Sequence, residues 1–112
     1  MILDIGEKIH IIEKRRFAED VRRHFVGEVT RCSDSAFRIT GYAWIFDKLR
    51  STYIRQLEMR ERVISFEGDL IINVLPQDVN ISQVKYTRDP NLGLMVVDGQ
   101  RILLEITEFG PG

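Results

Sequence analysis

Alternating apolar and polar residues along the chain predict a series of β-strands. The pattern is clearest in residues 37–46, FRITGYAWIF, which are rich in the aromatic and β-branched residues that strands favour. Successive side chains of a strand point to opposite faces, so Phe37, Ile39, Ala43 and Ile45 share one apolar face. The other face carries three aromatic residues, Tyr42, Trp44 and Phe46.

The aromatic face of this predicted strand needs cover, because a contiguous apolar patch is rarely left exposed on a soluble monomer. Three kinds of cover fit the pattern: the rest of this chain, a second subunit, or a stacked ligand. The sequence leaves these alternatives open, although aromatic residues at alternate strand positions are more often packed against protein than against a base.

Six further segments have the composition of strands. They are residues 7–12, 25–31, 61–66, 70–75, 92–97 and 100–109. Residues 70–75 are nearly all apolar, which predicts a central strand buried on both faces and ended by Pro76. Asp98 and Gly99 predict a two-residue hairpin turn between the last two strands.

The segments between the strands are short or polar. Residues 13–24 fit either a helix or a loop; the thin apolar face and the absence of a strong cap favour a loop with one helical turn. Residues 47–58 predict an extended loop or a distorted hairpin, and residues 77–86 a short helix with Val79 and Val84 turned inward. The predicted fold is therefore all-β: a small, strongly bent barrel with an added C-terminal hairpin and at most one short helix.

Composition limits the architecture and the setting. A chain of 112 residues, with 44% hydrophobic and 29% charged residues, is typical of one globular domain, here residues 1–112. No apolar run approaches the roughly 18 residues of a membrane span. The N-terminal residues lack the features of a signal peptide, and the single cysteine, Cys32, cannot form an internal disulfide. We therefore expect a cytoplasmic protein without a membrane partner.

The basic segment around residues 14–24 is the best candidate for a binding site. Its guanidinium groups suit phosphate oxygens, and aromatic residues of the next strands offer faces for base stacking. The predicted ligand-binding residues are Arg15, Arg16, Arg22, Arg23, His24, Tyr42 and Trp44, with RNA or another phosphate-bearing compound as the ligand. Against this, Glu13, Glu19 and Asp20 can pair with the basic residues, and the net charge is only −1.

Residues with catalytic potential do not form a recognisable pattern. His10 and His24 are fourteen positions apart, a spacing that implies no metal site. Ser33, Asp34 and Ser35 are ordinary turn residues without a surrounding catalytic motif. The sequence therefore predicts neither an enzyme nor a cofactor.

Two stretches resemble the Sm-like family of small β-barrels. FVGEVTR, residues 25–31, is similar to the family's bent second strand, in which Gly27 would permit the curvature. FEGDLIINVLP, residues 66–76, is similar to its second motif, in which Gly68 precedes the closing strand. The resemblance covers about a third of the chain. It implies a five-stranded barrel that assembles into a ring by pairing edge strands, with RNA bound at the inner rim.

Strands that are apolar on both faces, together with unpaired sheet edges, lead to the prediction of a homo-oligomer. The expected function is a non-enzymatic, self-associating binding module, with RNA or another phosphate-bearing ligand as its target. The alternative is a purely structural protein that joins copies of itself or a partner and binds no nucleic acid.

Overall fold

The computed structural model describes residues 2–15, 17, 19–99 and 101–106, which form two antiparallel β-sheets. Nine strands and one 3-10 turn (η1) alternate with short loops in the described part of the chain. Their bounds are β1 Lys8–Glu13, β2 Arg23–Cys32, β3 Ala36–Asp47, β4 Thr52–Arg55, β5 Arg60–Ser65, β6 Leu70–Val74, η1 Ile81–Gln83, β7 Lys85–Asp89, β8 Gly93–Val97 and β9 Ile102–Glu105. The prediction of an all-β fold is confirmed.

The larger sheet has the strand order β4-β3-β2-β1-β6, and β5 also pairs with β3. The twelve residues of β3 give it two partners along one edge: β5 beside its first half and β4 beside its second half. Strand β6 forms one end of this sheet, and β4 and β5 share the other end; β5 and β6 are not hydrogen-bonded to each other. The barrel is therefore open along this seam.

One face of the larger sheet encloses the first hydrophobic core. Ile9 and Ile11 of β1, Val29 of β2, and Phe37 and Ile39 of β3 are buried together there. Ala43, Ile64 and Ile72 are partly buried against this cluster. The predicted inward face of residues 37–46 is thus confirmed for Phe37, Ile39 and Ala43, which alternate along β3 as the period of a strand requires.

Two paired glycines allow β2 and β3 to approach each other closely. Gly27 lies directly opposite Gly41 in the antiparallel register, and both are buried. A Cβ atom on Gly27 would lie 2.5 Å from the carbonyl oxygen of Thr40, and one on Gly41 would collide with the carbonyl group of Val26. Only glycine fits at these two positions, because any side chain would collide with the facing backbone.

The smaller sheet, in the order β7-β8-β9, covers the aromatic face of β3. Trp44 is only 6% exposed, and Tyr42 and Phe46 pack against the same second core. This core also contains Val79, Val84, Leu94, Val96 and Ile106. The aromatic face is therefore covered by the chain itself, and its supposed exposure no longer argues for self-association.

Two predictions about local structure differ from the observed fold. Residues 70–75 were predicted to be a central strand, but β6 is the last strand of the larger sheet and Val74 is 57% exposed. The predicted two-residue turn at Asp98-Gly99 is wrong, because β8 ends at Val97 and β9 begins at Ile102. The Asp98 side chain accepts a hydrogen bond from the backbone N–H of Arg101 and stabilises the longer loop.

The segment between β1 and β2 is a loop wherever the structure describes it, as favoured by the sequence. The short helix predicted in residues 77–86 is the single turn η1, and Val79 and Val84 beside it are buried as expected. The described residues contain no helix long and apolar enough to cross a membrane.

Candidate functional site

A polar cluster lies between the two sheets, in an otherwise apolar layer. His10 of β1 and His24 of β2 are almost completely buried, and Tyr86 of β7 reaches them from the smaller sheet. The Tyr86 hydroxyl oxygen lies 2.6 Å from His24 Nδ1 and 2.9 Å from His10 Nε2. The two imidazole nitrogens are 3.2 Å apart. We call these three residues the His–Tyr cluster.

The hydrogen bonds of the His–Tyr cluster run in one direction. Asn73 Nδ2, on β6, is a donor and lies 3.2 Å from His10 Nδ1, so this ring nitrogen accepts. A neutral His10 then carries its proton on Nε2 and donates to Tyr86 Oη. The Tyr86 O–H in turn donates to His24 Nδ1, and every member of the chain stays neutral.

Aromatic rings pack around the cluster. Tyr53 of β4 stacks on the His24 ring at a centroid distance of 4.0 Å and lies 4.8 Å from the Tyr86 ring. The Trp44 ring lies 4.9 Å from that of Tyr86. These contacts join strands of both sheets and shield the two imidazoles from water, while Tyr86 is partly buried.

Burial controls the protonation of the cluster. It lowers the pKa of His10 to about 3. Burial, with a smaller contribution from neighbouring His10, lowers the pKa of His24 to about 2. Burial also raises the pKa of Tyr86 well above its ordinary value, and the nearby Tyr53 phenol adds to this. At neutral pH both imidazoles are therefore uncharged and the phenol keeps its proton.

The residues predicted to bind a ligand do not share one exposed surface. His24 is 2% exposed and Trp44 is 6% exposed, so both lie in the interior between the sheets. Tyr42 is half-buried, and one face of its ring is covered by the Arg55 guanidinium at 4.5 Å. Arg16 lies outside the described residues.

The other predicted arginines lie near the edge of the inter-sheet core. The Arg22 guanidinium covers the Phe46 ring at 4.8 Å. Arg22 and Arg15 are both near enough to the Tyr53 phenol to oppose the rise in its pKa, which burial causes. Arg15 and Arg23 also line an open cleft of about 450 Å³ together with Lys14 and three acidic residues, Glu13, Glu19 and Asp20. The charges lining this cleft are therefore balanced.

No sequence pattern indicated that His10, Asn73 and Tyr86 form a group. In the observed register His10 pairs with Val26, and Ile12 pairs with His24. The two histidines are therefore diagonal neighbours on one face of the β1–β2 pair. That relation follows from the hairpin register alone, whereas the approach of Tyr86 depends on the packing of the second sheet.

The outer edge of β5 is a second candidate site. The N–H of Phe66 donates to the carbonyl of Ser35 at 3.0 Å, which places the hydrogen-bonded pairs of β5 and β3 at alternate residues. Glu61, Val63 and Ser65 consequently direct their backbone groups away from β3. All three side chains are exposed, and they belong to the five exposed residues of the six in β5.

The outer edge of β6 has the same character. The N–H of Leu75 donates to the carbonyl of Lys8 at 2.8 Å, so Leu70, Ile72 and Val74 direct their backbone groups away from β1. Among the described residues, β6 pairs with β1 alone, and β5 with β3 alone. The seam between β5 and β6 thus has an unpaired strand edge on each side, and the two strands have six and five residues.

Within the described part of the chain, no three side chains of the His, Cys, Asp and Glu types are grouped as metal ligands. The candidate sites in the described residues are the neutral His–Tyr cluster and the open edges of β5 and β6. No family model, no curated protein and no solved structure matches this chain.

Proposed function

We propose that this protein is a non-enzymatic binding module that assembles with copies of itself through the β5 and β6 edges. The observation that carries the proposal is the open seam: each edge directs three residues' backbone groups outward. Unpaired backbone donors and acceptors on a strand edge are a template for pairing with another strand. The resemblance to Sm-like barrels implies the same mode of assembly.

Apolar side chains at the two edges add to this tendency. Val63 on β5 is 67% exposed and Val74 on β6 is 57% exposed, although both are residues that normally gain from burial. If β5 of one copy pairs with β6 of the next, both edges and both valines gain a partner. The contact joins two different surfaces, so repeating it closes a ring when the rotation between neighbours divides a full turn.

Sedimentation velocity tests the proposal at about 10–100 µM protein, a range in which assemblies with micromolar dissociation constants are populated. The expected species is a discrete multiple of the 13.1 kDa chain. Val63→Pro removes an outward N–H without removing a hydrogen bond to β3, and should therefore reduce the mass toward that of the monomer. Val63→Thr keeps the N–H and the branched shape, and should retain the assembly.

A wild-type protein that sediments as a single 13.1 kDa species over this range would contradict the proposal. So would an assembly that persists unchanged in Val63→Pro while circular dichroism shows a native β-fold. Either result would place the self-association surface elsewhere or remove it.

Binding of RNA or another phosphate-bearing compound is the second candidate function. The approach of Arg15 and Arg22 to Tyr53 favours it, whereas the three carboxylates in the neighbouring cleft oppose it. Replacing Arg15, Arg22 and Arg23 by glutamine should abolish any binding of RNA measured at about 50 mM salt, where phosphate contacts are strong. A wild-type protein that fails to bind RNA at this salt concentration would eliminate the candidate.

A further inference from the structure

We infer that the His–Tyr cluster is a binding site for a divalent transition-metal ion of the zinc type. The inference goes beyond the proposed assembly, because the cluster lies between the sheets and not at the open edges. Two imidazole nitrogens and one phenol oxygen converge there from three strands. Imidazole and oxygen donors in this combination suit zinc, copper and nickel ions.

The separations of the donor atoms fit one small ion. The nitrogen of His10, the nitrogen of His24 and the oxygen of Tyr86 form a triangle with sides of 3.2, 2.9 and 2.6 Å. A point equidistant from these atoms lies about 1.7 Å from each. An ion displaced about 1 Å from their plane would therefore lie about 2 Å from all three, which is the usual zinc–ligand distance. To reach the tetrahedral angles that zinc prefers, the Tyr86 oxygen would move outward by roughly 0.5 Å.

The imidazoles are already neutral, as a metal ligand must be. His24 Nδ1 accepts a hydrogen bond in this structure, so its lone pair becomes available once the Tyr86 hydroxyl loses its proton. In His10 the proton must move from Nε2 to Nδ1. The Asn73 side chain can then turn its amide oxygen toward Nδ1–H and accept a hydrogen bond, which would fix the orientation of the ring.

Tyr86 supplies the negative charge that a buried dication requires. Its O–H proton leaves for solvent as the oxygen–metal bond forms, so one proton is released for each ion bound. A metal ion at about 2 Å reverses the effect of burial on such a group, because it stabilises the anion directly. Without this anion the site would hold two uncompensated positive charges away from water, so binding depends on the phenolate.

Composition makes the test unusually direct. The chain contains two histidines and one cysteine, so a metal ion bound through imidazole can only involve His10 and His24. Tyr86 belongs to the smaller sheet, and an ion in the cluster would therefore bridge the two sheets. A ligand that binds only the folded state raises the melting temperature.

The experiment is a thermal melt and a calorimetric titration of the Cys32→Ser protein with Zn²⁺ at pH 7.5. We expect one ion per chain and a rise in melting temperature of more than about 5 °C at about 100 µM Zn²⁺. The enthalpy should vary with the ionisation enthalpy of the buffer, by an amount that corresponds to about one proton released. In wild-type protein, ¹⁵N spectra should show shifts at one nitrogen of each histidine ring.

Tyr86→Phe is the matched variant, since it removes the ligand oxygen and keeps the ring that packs on Trp44 and Tyr53. It should weaken Zn²⁺ binding at least about tenfold, because even loss of a group that only orients a metal ligand costs this much. Absence of a Zn²⁺-dependent stabilisation in the wild type would overturn the inference. Unchanged histidine ¹⁵N signals at saturating Zn²⁺ would overturn it as well, and would leave the cluster as a hydrogen-bonded link between the sheets.

Discussion

Acidification should destabilise this protein through its two buried histidines. In the unfolded chain each imidazole has a pKa near 6.5, whereas in the folded state burial lowers the values to about 3 for His10 and about 2 for His24. Between these limits the unfolded state binds more protons than the folded state, so stability falls as the pH decreases. Above pH 6.5 both states are neutral at these sites, and this contribution to stability is complete.

The size of the effect follows from the proton difference. Each histidine changes the free energy of unfolding by about 1.4 kcal/mol per pH unit once the pH is well below 6.5. For two such groups the loss between pH 8 and pH 5 is about 4 kcal/mol. Since small domains are stable by only about 5–15 kcal/mol, this is a large fraction of the total.

Urea denaturation at pH values from 5 to 8 measures the effect. Trp44 is the only tryptophan and lies in the second core, so its fluorescence reports the inter-sheet packing. His24→Asn keeps an acceptor near the position of Nδ1 but cannot be protonated, and it should reduce the pH dependence by about half. A free energy of unfolding that differs by less than about 1 kcal/mol between pH 8 and pH 5 would refute the reasoning. An unchanged pH dependence in His24→Asn would also refute it.

Three substitutions test the packing of the barrel by chemical denaturation. Ile39→Ala should cost about 2–5 kcal/mol, because Ile39 is fully buried in the first core, and a loss below about 0.5 kcal/mol would mean that this face is not the core. Gly41→Ala should lower the free energy of unfolding by more than about 2 kcal/mol, because the methyl group would collide with the Val26 backbone. The control Gly68→Ala meets only ordinary contacts and should lower it by less than about 1 kcal/mol; equal losses would contradict the close approach of β2 and β3. Thr52→Val should stabilise the protein by up to about 1 kcal/mol, since Thr52 Oγ1 is buried without a partner among the described residues, and a clear destabilisation would show that the hydroxyl is hydrogen-bonded.

The sequence by itself determined where most strands lie and which way their side chains point. Alternation is a local property with a period of two, so Phe37 and Ile39 could be assigned to one face and Trp44 to the other without knowledge of the fold. The loop between β1 and β2 and the buried Val79 and Val84 also followed from local composition. These features depend on neighbouring residues and require no information about distant contacts.

Which strands become neighbours was decided only by the tertiary structure. An apolar segment such as Leu70–Val74 has the same sequence pattern whether it is central or at an edge, because pairing depends on residues far along the chain. The hairpin loop at Asp98 shows a similar limit, since a Gly99 with φ of +97° fits loops of several lengths.

The aromatic face and the His–Tyr cluster show why the functional site was the hardest part to predict. The pattern required cover for Trp44, but a segment of this chain, a second copy and a ligand would all satisfy an apolar surface equally well. His10, His24 and Tyr86 are separated by fourteen and sixty-two residues and meet only because the second sheet folds back over the first. Burial between those sheets lowers the histidine pKa values, and it exists only once the two layers have packed.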